Sequence, residues 1–407
     1  MNPEESVSQC GDLARSVRLI CPPNPAVGCV LTTSDGRLLG LGATQASGGA
    51  HAEVMALRDA ARRGLSAVGA TAYVSLEPCS HQGRTGPCCD ALIQAGVKKV
   101  VAAIADPNPL VAGQGFARLR AAGVQVLVGP GADESFELNI GFFSRMLRAR
   151  PWVRLKLAAS LDGKTALHNG RSQWITGEAA RADGHAWRAR ACAILSGVGT
   201  VLQDNPRLDV RGLDTPRQPA LVLVDSQLQT PVDAALFGAN RSVTIYAALA
   251  HAQRQRALQA RGATVVYLGQ HPGPLPGGEG ENGSPNEGLR MPHPGPLPRR
   301  EGEGTAPNRH RQVDLAALLR HLHKQAINEL HVEAGHRLNG SLLRAGLVDE
   351  LLVYLAPKLL GQGCDMASLG PLSELAQALP LTFQSTTMMG ADLRILARLH
   401  GAAWRPN

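Results

Sequence analysis

Short apolar runs alternate with helix-spaced apolar positions along the first 150 residues, and this pattern predicts an α/β unit. Strands are predicted at 26–33, 37–44, 71–77, 98–106 and 124–129. Helices are predicted at 12–20, 51–64, 89–96, 114–122 and 133–148. Asp35-Gly36 is a hairpin turn signal between the first two strands. We therefore expect residues 1–148 to form a complete α/β/α sandwich.

The same alternation begins again at residue 151 and predicts a second unit over 151–401. Apolar runs typical of buried strands occur at 153–160, 191–197, 219–225, 242–248, 263–269, 327–335 and 349–360. Helices are expected at 177–191 and 338–346, and residues 197–211 are expected to form a loop. Strands that alternate with helices favour a mostly parallel sheet of the nucleotide-binding type.

Residues 271–311 interrupt this pattern with Pro, Gly, Glu, Arg and Asn and almost no apolar side chains. The hexapeptide HPGPLP occurs in it twice, at 271–276 and 293–298. Such a composition cannot bury a core, so we expect a disordered surface insert. A polyproline II ligand for a partner is the alternative interpretation.

The residues that carry chemistry are concentrated in His51-Ala52-Glu53 and in Cys79 and Cys88. One imidazole and two thiolates suit a zinc ion whose fourth position stays open for water, and that water then has a pKa of about 7. Glu53, two residues after the histidine, is better placed to transfer protons than to bind the metal. H-x-E followed by P-C-x-x-C is the pattern of zinc deaminases, and this chain has its H-x-E and P-C but a longer spacing to the second cysteine. We therefore expect His51, Cys79 and Cys88 as ligands and Glu53 as the acid/base.

A structural zinc site is the alternative to a catalytic one. The second thiol comes nine positions after the first, so the intervening SHQGRTGP must fold back as a loop. A closed structural site requires a fourth ligand, which His81 or Cys89 could provide. A structural site, however, would leave Glu53 without a function.

Composition excludes several classes of protein. The net charge of +8 would suit an anionic partner, but the arginines are scattered and only 3% of residues are aromatic, so no nucleic-acid platform is indicated. A phosphorylated small substrate and cofactor would suit the charge equally well. The eight cysteines show no disulfide spacing, and no apolar run approaches 18 residues. We expect a cytoplasmic protein without a signal peptide or membrane span.

Several long motifs, in this order, resemble the bifunctional deaminase–reductases of riboflavin biosynthesis. They are HAEVMAL, YVSLEPCSHQGRTGPC, ADPNPLVAGQG, LNIGFF, RPWVRLKLAASLDGKTA, SQWIT and GVGTVLQDNPRL. The resemblance runs from about Asn24 to the carboxyl terminus and skips the insert. It implies a cytidine-deaminase-like first domain and a dihydrofolate-reductase-like second domain. A homo-oligomer is a separate expectation.

The resemblance also implies two reactions. The first hydrolyses the 2-amino group of 2,5-diamino-6-ribosylamino-4(3H)-pyrimidinone 5′-phosphate, with one zinc ion, the ligands named above and Glu53. The second reduces the ribosyl side chain with NADPH to give the ribityl product. Asn24 and His81 could contact the first substrate, although both could equally well serve as turn residues.

For the reductase the resemblance implies two sets of residues. The NADPH set is Ala158, Trp174, Thr200, Asp204, Gly335, Arg337, Leu338, Asn339, Gly340 and Ser341. The substrate set is Ser172, Arg188, Leu208, Arg211 and Glu333. An arginine pair suits a 5′-phosphate because guanidinium matches phosphate oxygens bidentately. Lys156 could assist opening of the sugar ring.

The chain departs from the family pattern at Ala334, where a second glycine is usual. Residues 335–341 are expected to present backbone N–H groups to the cofactor diphosphate at a helix start. A Cβ at Ala334 would weaken that approach without abolishing it. Decay of the reductase half is therefore one alternative within the family.

Two other functions remain open at this stage. The first is a nucleoside or nucleic-acid deaminase whose second domain only binds. The second is a zinc-stabilised scaffold that recruits partners through its basic surface and the insert. Binding of a nucleotide cofactor would separate the first from the bifunctional enzyme, and metal removal would separate the second.

Overall fold

The computed structural model describes residues 1–80, 86–109, 111–269 and 312–399. In these ranges the strands form a five-stranded sheet, a nine-stranded sheet and a separate two-stranded pair. The α/β class predicted from the sequence is confirmed. The insert at 271–311 and residue His81 lie outside the described residues, so the predictions made for them stay predictions.

The five-stranded sheet and six helices make up the amino-terminal part of the chain. Its strands are β1 (Gly28–Thr32), β2 (Leu38–Ala43), β3 (Thr71–Val74), β4 (Lys99–Ala102) and β5 (Gln125–Val128), in the order β2-β1-β3-β4-β5. Its helices are α1 (Pro3–Ser16), α2 (Ala52–Arg62), α3 (Cys88–Gln94), α4 (Gln114–Ala121), α5 (Ala132–Leu138) and α6 (Ile140–Arg148). Strand β1 pairs antiparallel with β2 and β3, whereas β3, β4 and β5 are parallel.

Both faces of this sheet are covered, because side chains alternate across each strand. Cys29 and Leu31 of β1 belong to a core cluster shared with residues of α2, α3 and α4. Val30 points the other way, into a cluster that contains Cys10 of α1. The predicted α/β/α sandwich is confirmed.

Helix α2 packs closely on β2, and this contact fixes the position of His51. A Cβ built on Gly42 of β2 would lie 2.1 Å from the carbonyl oxygen of Ala52, so only glycine fits there. The first turn of α2 is thereby held against the sheet, next to the carboxyl end of β3. The residue directly before that turn is His51.

Two helix predictions in this half were wrong in their bounds. Helix α1 begins at Pro3 and ends at Ser16, not at 12–20, because Asn2 and Glu5 form a capping box that starts it early. The single helix expected at 133–148 is broken at Asn139. The Asn139 side chain accepts from the N–H of Ala26 and donates to the carbonyl oxygen of Ala26. These two bonds hold the break between the helices next to the segment that leads into β1.

The nine-stranded sheet forms the centre of the carboxyl-terminal part. Its strands are β6 (Trp152–Ser160), β8 (Ala193–Gly197), β9 (Ala220–Val224), β10 (Val243–Ala247), β11 (Ala263–Tyr267), β12 (Glu329–Val332), β13 (Glu350–Ala356), β15 (Leu381–Met389) and β16 (Asp392–Leu399). The order is β11-β10-β9-β8-β12-β6-β13-β16-β15, and β7 (Lys164–Leu167) pairs separately with β14 (Gly363–Asp365). The helices are α7 (Glu178–Arg190), α8 (Val198–Asp204), α9 (Ala252–Ala260), α10 (Leu315–Lys324) and α11 (His336–Arg344).

The mostly parallel sheet is confirmed, with two differences from the prediction. Residues 198–204 form α8 where a loop was expected, because two turns of helix are too short to show a clear 3.6-residue period. Strands β15 and β16 form an antiparallel hairpin at the end of the sheet that the sequence pattern did not predict. The other seven strands are parallel to one another.

The two halves of the chain contact each other through polar side chains. Arg145 of α6 donates to Asn328 Oδ1 at 2.5 Å, and Asn328 donates to the carbonyl oxygen of Pro23 at 3.0 Å. Arg398 of β16 forms an ion pair with Glu137 of α5 at 2.5 Å. These bonds join the second sheet to the helices of the first unit.

The helices and cysteines add two observations that bear on the setting of the protein. In the described ranges no helix is both long enough and apolar enough to span a bilayer. All eight cysteines are free thiols.

Candidate functional site

Three separate elements bring His51, Cys79 and Cys88 to one edge of the first sheet. His51 is the residue before α2, Cys79 follows the carboxyl end of β3, and Cys88 begins α3. Ligand sites collect at the carboxyl edge of parallel strands in α/β proteins. The N–H of Cys89 donates to the carbonyl oxygen of Cys79 at 3.2 Å, so the backbone next to the second thiol lies against the backbone at the first.

The spacing of these three side chains fits a tetrahedral metal. The Nδ1 atom of His51 lies 3.5 Å from Cys79 Sγ and 3.3 Å from Cys88 Sγ, and all three atoms lie within 4.8 Å of one another. A zinc ion about 2.3 Å from sulfur and about 2.0 Å from nitrogen would keep such atoms about 3.5 Å apart. Two thiolates and an imidazole also select zinc over hard cations. The residues present therefore fit the ion that the sequence predicts.

The surroundings of Cys79 favour its thiolate form. The N–H of Cys88 donates to Cys79 Sγ at 3.4 Å. The Cys88 thiol and the His51 ring also bond to this sulfur, and together they lower the pKa of Cys79 to about 4. Within the pair the second thiol compensates, and the pKa of Cys88 is raised. Cys79 is therefore a thiolate at neutral pH, so that binding a cation there does not first require removal of a proton.

Glu53 lies in the first turn of α2 and is only 3% exposed. Burial, and after it the charge of Cys79, raises the pKa of its carboxyl group to about 7. It is not part of the group of three ligand atoms. A carboxyl group beside a metal site but not in it, able to hold or release a proton near neutral pH, suits general acid/base catalysis.

Cys89 does not complete a closed metal site. Its Sγ donates to the carbonyl oxygens of Pro78 at 3.2 Å and Gly115 at 3.5 Å. Burial raises the pKa of the Cys89 thiol to about 12, so it stays protonated. The structure therefore argues against one of the two fourth ligands considered from the sequence.

Sequence reasoning missed Glu77, which organises the loop beside the metal site. Its buried carboxylate accepts from four backbone N–H groups, those of Asp106, Gly113, Gly115 and Phe116, at 3.1, 3.0, 2.9 and 3.2 Å. The acidic residue before Pro78-Cys79 was the visible signal, but its partners are backbone groups about 30 to 40 positions later. Glu77 thus joins the Cys79 turn to the residues that follow β4.

Glu77→Gln is expected to loosen this loop and to impair only the first half of the protein. An amide would point its NH₂ group at N–H donors, leaving two of them unsatisfied and costing about 2 kcal/mol of unfolding free energy. We expect ammonia release to fall about tenfold, while NADPH oxidation is retained when the deaminated substrate is supplied. Glu134→Gln is the matched control, because Glu134 only forms an exposed pair with Arg15. Equal losses in both variants would contradict the positioning role.

Asn24 lies in the turn that follows α1, and its predicted contact with the substrate stays a prediction. Its backbone N–H donates to the carbonyl oxygen of Cys21 at 2.9 Å. The next residue but one, Ala26, is bound at both its N–H and its carbonyl by Asn139. The turn is therefore firmly held at both ends.

A large cavity opens at the carboxyl ends of the central strands of the second sheet, with a volume of about 1110 Å³. Six of its lining side chains are basic and two are acidic, so its charge suits phosphorylated ligands. Fourteen of the sixteen residues predicted for the reductase line it: Lys156, Ala158, Ser172, Trp174, Arg188, Thr200, Asp204, Leu208, Arg211, Glu333, Gly335, Arg337, Leu338 and Asn339. Ala334 also lines the cavity.

The two predicted reductase residues that do not line the cavity are Gly340 and Ser341. A Cβ on Gly340 would lie 2.0 Å from the carbonyl oxygen of Ser368, so this glycine allows close packing of α11 on another segment. The Ser341 hydroxyl donates to the carbonyl oxygen of Arg337 at 3.0 Å. Cofactor contacts of these two residues stay predictions.

Two helices begin side by side at one wall of this cavity. Helix α8 follows β8 and α11 follows β12, and these strands are parallel neighbours in the sheet. The helices start at Gly197 and Gly335, and neither start is capped by a side chain. A Cβ on Gly335 would lie 3.8 Å from Thr200 Oγ1, which shows how closely the two starts approach. Uncapped N–H groups at paired helix starts suit a diphosphate.

Glu333 is held by three basic side chains at the end of β12. The guanidinium of Arg188 donates to both carboxylate oxygens, Lys156 Nζ lies 3.8 Å away, and His331 Nε2 lies 3.3 Å away. Burial alone would raise the pKa of Glu333, but Arg188 and Lys156 hold it well below its usual value. Arg188 also donates to the carbonyl oxygen of Asp209, so all three nitrogens of its guanidinium group already have partners within the protein.

Arg211 is the more accessible of the two arginines predicted for the phosphate. Its side chain is 47% exposed and pairs with the buried carboxylate of Asp209, which also pairs with Arg207. Burial would raise the pKa of Asp209, but these two arginines lower it. Arg207 also lines the cavity and was not predicted from the sequence. One buried carboxylate thus holds two guanidinium groups at the cavity wall.

Family models match both halves of the chain. The cytidine and deoxycytidylate deaminase zinc-binding region matches residues 2–104. The RibD C-terminal domain matches residues 151–395. The cytidine-deaminase-like and dihydrofolate-reductase-like folds expected from the resemblance are confirmed.

Proteins of the same kind are similar over almost the whole chain. Riboflavin biosynthesis protein RibD of Escherichia coli is 41% identical, over 97% of this chain and 98% of that protein. RibD of Aquifex aeolicus is 35% identical, over 94% of each. The similarity therefore includes both halves together.

Solved structures of proteins of the same kind are also similar to this chain over almost its whole length. Acinetobacter baumannii RibD, 35% identical, has a TM-score of 0.80 and covers 97% of this chain and 98% of its own. The Thermotoga maritima diaminohydroxyphosphoribosylaminopyrimidine deaminase/5-amino-6-(5-phosphoribosylamino)uracil reductase, 28% identical, has a TM-score of 0.78 with the same coverage. Because the RibD C-terminal domain matches more than half of the chain and the Escherichia coli protein is 41% identical over almost all of it, the chain belongs to the RibD family of riboflavin-biosynthesis proteins.

Proposed function

We propose that the chain catalyses two consecutive steps of riboflavin biosynthesis, a zinc-dependent deamination and an NADPH-dependent reduction. The substrate of the first would be the diaminohydroxyphosphoribosylaminopyrimidine that the Thermotoga protein is named for. The observation that carries the proposal is the triangle of His51, Cys79 and Cys88 with Glu53 beside it. The basic cavity of the second half supports the reductive step.

In the deaminase half, His51, Cys79 and Cys88 would hold one zinc ion. Bound there, zinc would act as a Lewis acid and lower the pKa of a coordinated water to about 7. Glu53 would take a proton from the attacking water and return it to the departing amine. Its buried position in the first turn of α2 keeps bulk water from competing for that proton.

In the reductase half, NADPH would supply a hydride to the ribosyl carbon. The paired starts of α8 and α11 would hold its diphosphate, with Thr200 and Arg337 at the two helix starts. The exposed indole of Trp174 lies at the same cavity, with the Arg181 guanidinium 4.7 Å from its ring centroid. Glu333 and Lys156 would face the sugar of the substrate.

A two-channel assay on zinc-loaded protein tests the proposal. One channel follows ammonia release from the diaminopyrimidine substrate, and the other follows NADPH absorbance. Both signals are expected, with NADPH oxidation dependent on prior deamination. Ammonia without NADPH oxidation would show a decayed reductase and would implicate Ala334, whereas no ammonia would refute the zinc assignment.

Arg211→Met is expected to raise the KM of the reductase substrate by about tenfold to a hundredfold, which is the loss of one charged hydrogen bond. The KM of NADPH should stay within about twofold, because Arg211 is assigned to the substrate phosphate. The control is Arg256→Met, since Arg256 is exposed on α9 and outside the cavity lining. A rise in the KM of NADPH alone would place the cofactor phosphate at Arg211 instead.

We also propose the remaining assignments made from the sequence. Residues 1–148 would form the deaminase domain and 151–401 the reductase domain, which agrees with the two family matches. Free cysteines support a cytoplasmic location. Scattered arginines argue against nucleic acid as a partner. The exposed edge of the large sheet supports a homo-oligomer.

A further inference from the structure

The segment that connects α8 to β9 is held in place by long side chains from other parts of the second half. We call residues 205–211 the substrate loop, because Leu208 and Arg211 belong to the set assigned to the substrate. Backbone carbonyl groups in an irregular segment have no helix or sheet partners, so they must find other donors. In this loop four consecutive carbonyl oxygens, those of residues 207–210, accept hydrogen bonds from distant side chains.

Arg241, two residues before β10, makes two of these four bonds. Its guanidinium donates to the carbonyl oxygen of Leu208 and, through Nη2, to that of Arg207 at 2.5 Å. The same Nη2 lies 3.4 Å from the carbonyl oxygen of Leu236, in the segment that carries Arg241 itself. A planar guanidinium holds several acceptors in one rigid geometry, which the ammonium group of a lysine does not. Arg241 therefore fastens the substrate loop to the connection before β10.

The other two carbonyl groups have one side-chain partner each. Arg188 of α7 donates to the carbonyl oxygen of Asp209 at 3.0 Å. Gln218 accepts from the N–H of Val210 at 2.8 Å and donates to the carbonyl oxygen of Val210 at 3.1 Å. Three elements that meet only in the folded chain thus determine the path of the loop.

Leu208 has a backbone conformation that needs such support. Its φ is +52°, in the left-handed region that leucine rarely adopts. Residues in sparsely populated conformations persist only where their surroundings fix them, and they are concentrated at ligand sites. Leu208 lines the cavity, and its carbonyl oxygen accepts from Arg241. Without this bond we expect the loop to relax, which would displace Arg207 and Arg211 on either side.

The charge of the loop suits a phosphate. Arg207 and Arg211 share the single buried carboxylate of Asp209, so their guanidinium groups keep donors for a ligand. Burial lowers the pKa of Arg241 to about 10, which leaves a third cation charged at neutral pH. A carbonyl oxygen that faced a phosphate would repel it, but the four bonds described above direct these oxygens into the protein. The loop thus presents cations to the cavity and withdraws its carbonyl groups.

We propose that Arg241 is a positioning residue of the reductase, which holds the substrate loop in the conformation in which Arg207 and Arg211 bind the 5′-phosphate of the substrate. This rests on the proposed function and adds a residue that touches neither substrate nor cofactor. Arg241 is not part of the cavity lining, so its effect passes through the loop. Its loss should therefore appear in the KM of the substrate and not in kcat.

Arg241→Met tests the proposal when the deaminated substrate is supplied directly and NADPH absorbance is followed. The KM of the substrate should rise about tenfold, because a displaced arginine loses a charged hydrogen bond to the phosphate. The kcat and the KM of NADPH should stay within about twofold. A purely structural role would reduce the amount of active protein, and with it kcat, at an unchanged KM. If Arg241→Met does not fold, Arg241→Lys keeps the charge without the planar fork and should still raise the KM about threefold.

Arg254→Met is the matched control. Arg254 of α9 also donates to backbone carbonyl oxygens, those of Leu228 at 2.9 Å and Thr230 at 2.6 Å. Leu228 is left-handed as well, with a φ of +56°, but neither Leu228 nor Thr230 lines the cavity. This variant should leave the KM of the substrate within about twofold. An equal rise in both variants would overturn the proposal.

The double variant Arg211→Met with Arg241→Met shows whether Arg241 acts through the loop. Two residues that serve the same phosphate contact are coupled, so the combined rise in KM should be smaller than the product of the two single rises. A rise equal to that product would mean independent action and would contradict the proposal. Wild-type protein that does not oxidise NADPH with this substrate would refute the proposed function, whereas an active wild type and an unchanged KM in the Arg241 variants would refute only this inference.

Discussion

Glu53→Gln is expected to lower ammonia release about 10³-fold, while NADPH oxidation continues when the deaminated substrate is supplied. General acid/base catalysis by a positioned side chain contributes about 10² to 10⁴ in rate. Glu53 is buried and has a raised pKa, so no bulk water replaces it easily. We expect the kcat/KM of deamination to fall about 10³-fold, and the amide keeps the size of the side chain, so the fold should be unchanged.

The two activities of the chain supply an internal control for this variant. When 5-amino-6-(5-phosphoribosylamino)uracil is given directly, NADPH oxidation should stay within about twofold of the wild type, because the reductive step is placed in the other half. Zinc content should also stay at one ion per chain, since Glu53 is outside the group of ligand atoms. Loss of zinc would show that Glu53 is a ligand, and retained ammonia release would show that another group transfers the proton.

The metal site could be predicted from the sequence because its chemistry is carried by rare residue types in short motifs. His51, Glu53, Cys79 and Cys88 are recognisable wherever the fold brings them. The same is true of the long motifs that line the reductase cavity. What such residues bind is determined by their own side chains, so sequence suffices to name them.

The supporting groups could not be predicted, because their partners are distant or are backbone atoms. Glu77 binds four N–H groups that carry no residue-specific signal. Arg188 was expected to bind phosphate with its full fork, but Glu333, 145 positions later, already occupies two of its nitrogens. Such pairings depend on which strands become neighbours.

The end of the large sheet was missed for a different reason. Strand β15 has the sequence LTFQSTTMM, in which polar and apolar residues do not alternate cleanly. Its register with β16 shifts between Phe383 and Ser385, so the faces change partway along the strand. On each side of that shift the strand is therefore too short for a two-residue period to be recognised.

Arg154 is the centre of a buried ion cluster, and its loss is expected to destabilise the protein strongly. The side chain is only 2% exposed, with Nη1 2.9 Å from Glu329 and Nε 2.6 Å from Glu350. Its guanidinium also lies 4.4 Å from the centroid of the Trp187 ring. Removing one partner of a buried ion pair leaves an uncompensated charge, which costs about 3–5 kcal/mol.

Arg154→Met should therefore lower the free energy of unfolding by about 3–5 kcal/mol in urea denaturation followed by circular dichroism. The control is Arg62→Met, which removes an exposed pair with Asp59 and should cost less than about 0.5 kcal/mol. A loss no larger than the control would mean that Arg190, Arg18 and Arg398 compensate the two carboxylates by themselves.

The pH dependence of stability gives the same variant a second readout. Burial would raise the pKa of Glu329 and Glu350, but the surrounding arginines, Arg154 among them, hold both below the usual value. Their contribution to stability is therefore complete above about pH 4.3 and is lost as the pH falls below it. Without Arg154, less positive charge opposes the effect of burial, and the pKa values of Glu329 and Glu350 both rise. Acidification from pH 7 to 4 should therefore destabilise Arg154→Met less than the wild type. An equal or steeper loss in the variant would show that Arg154 does not set these two pKa values.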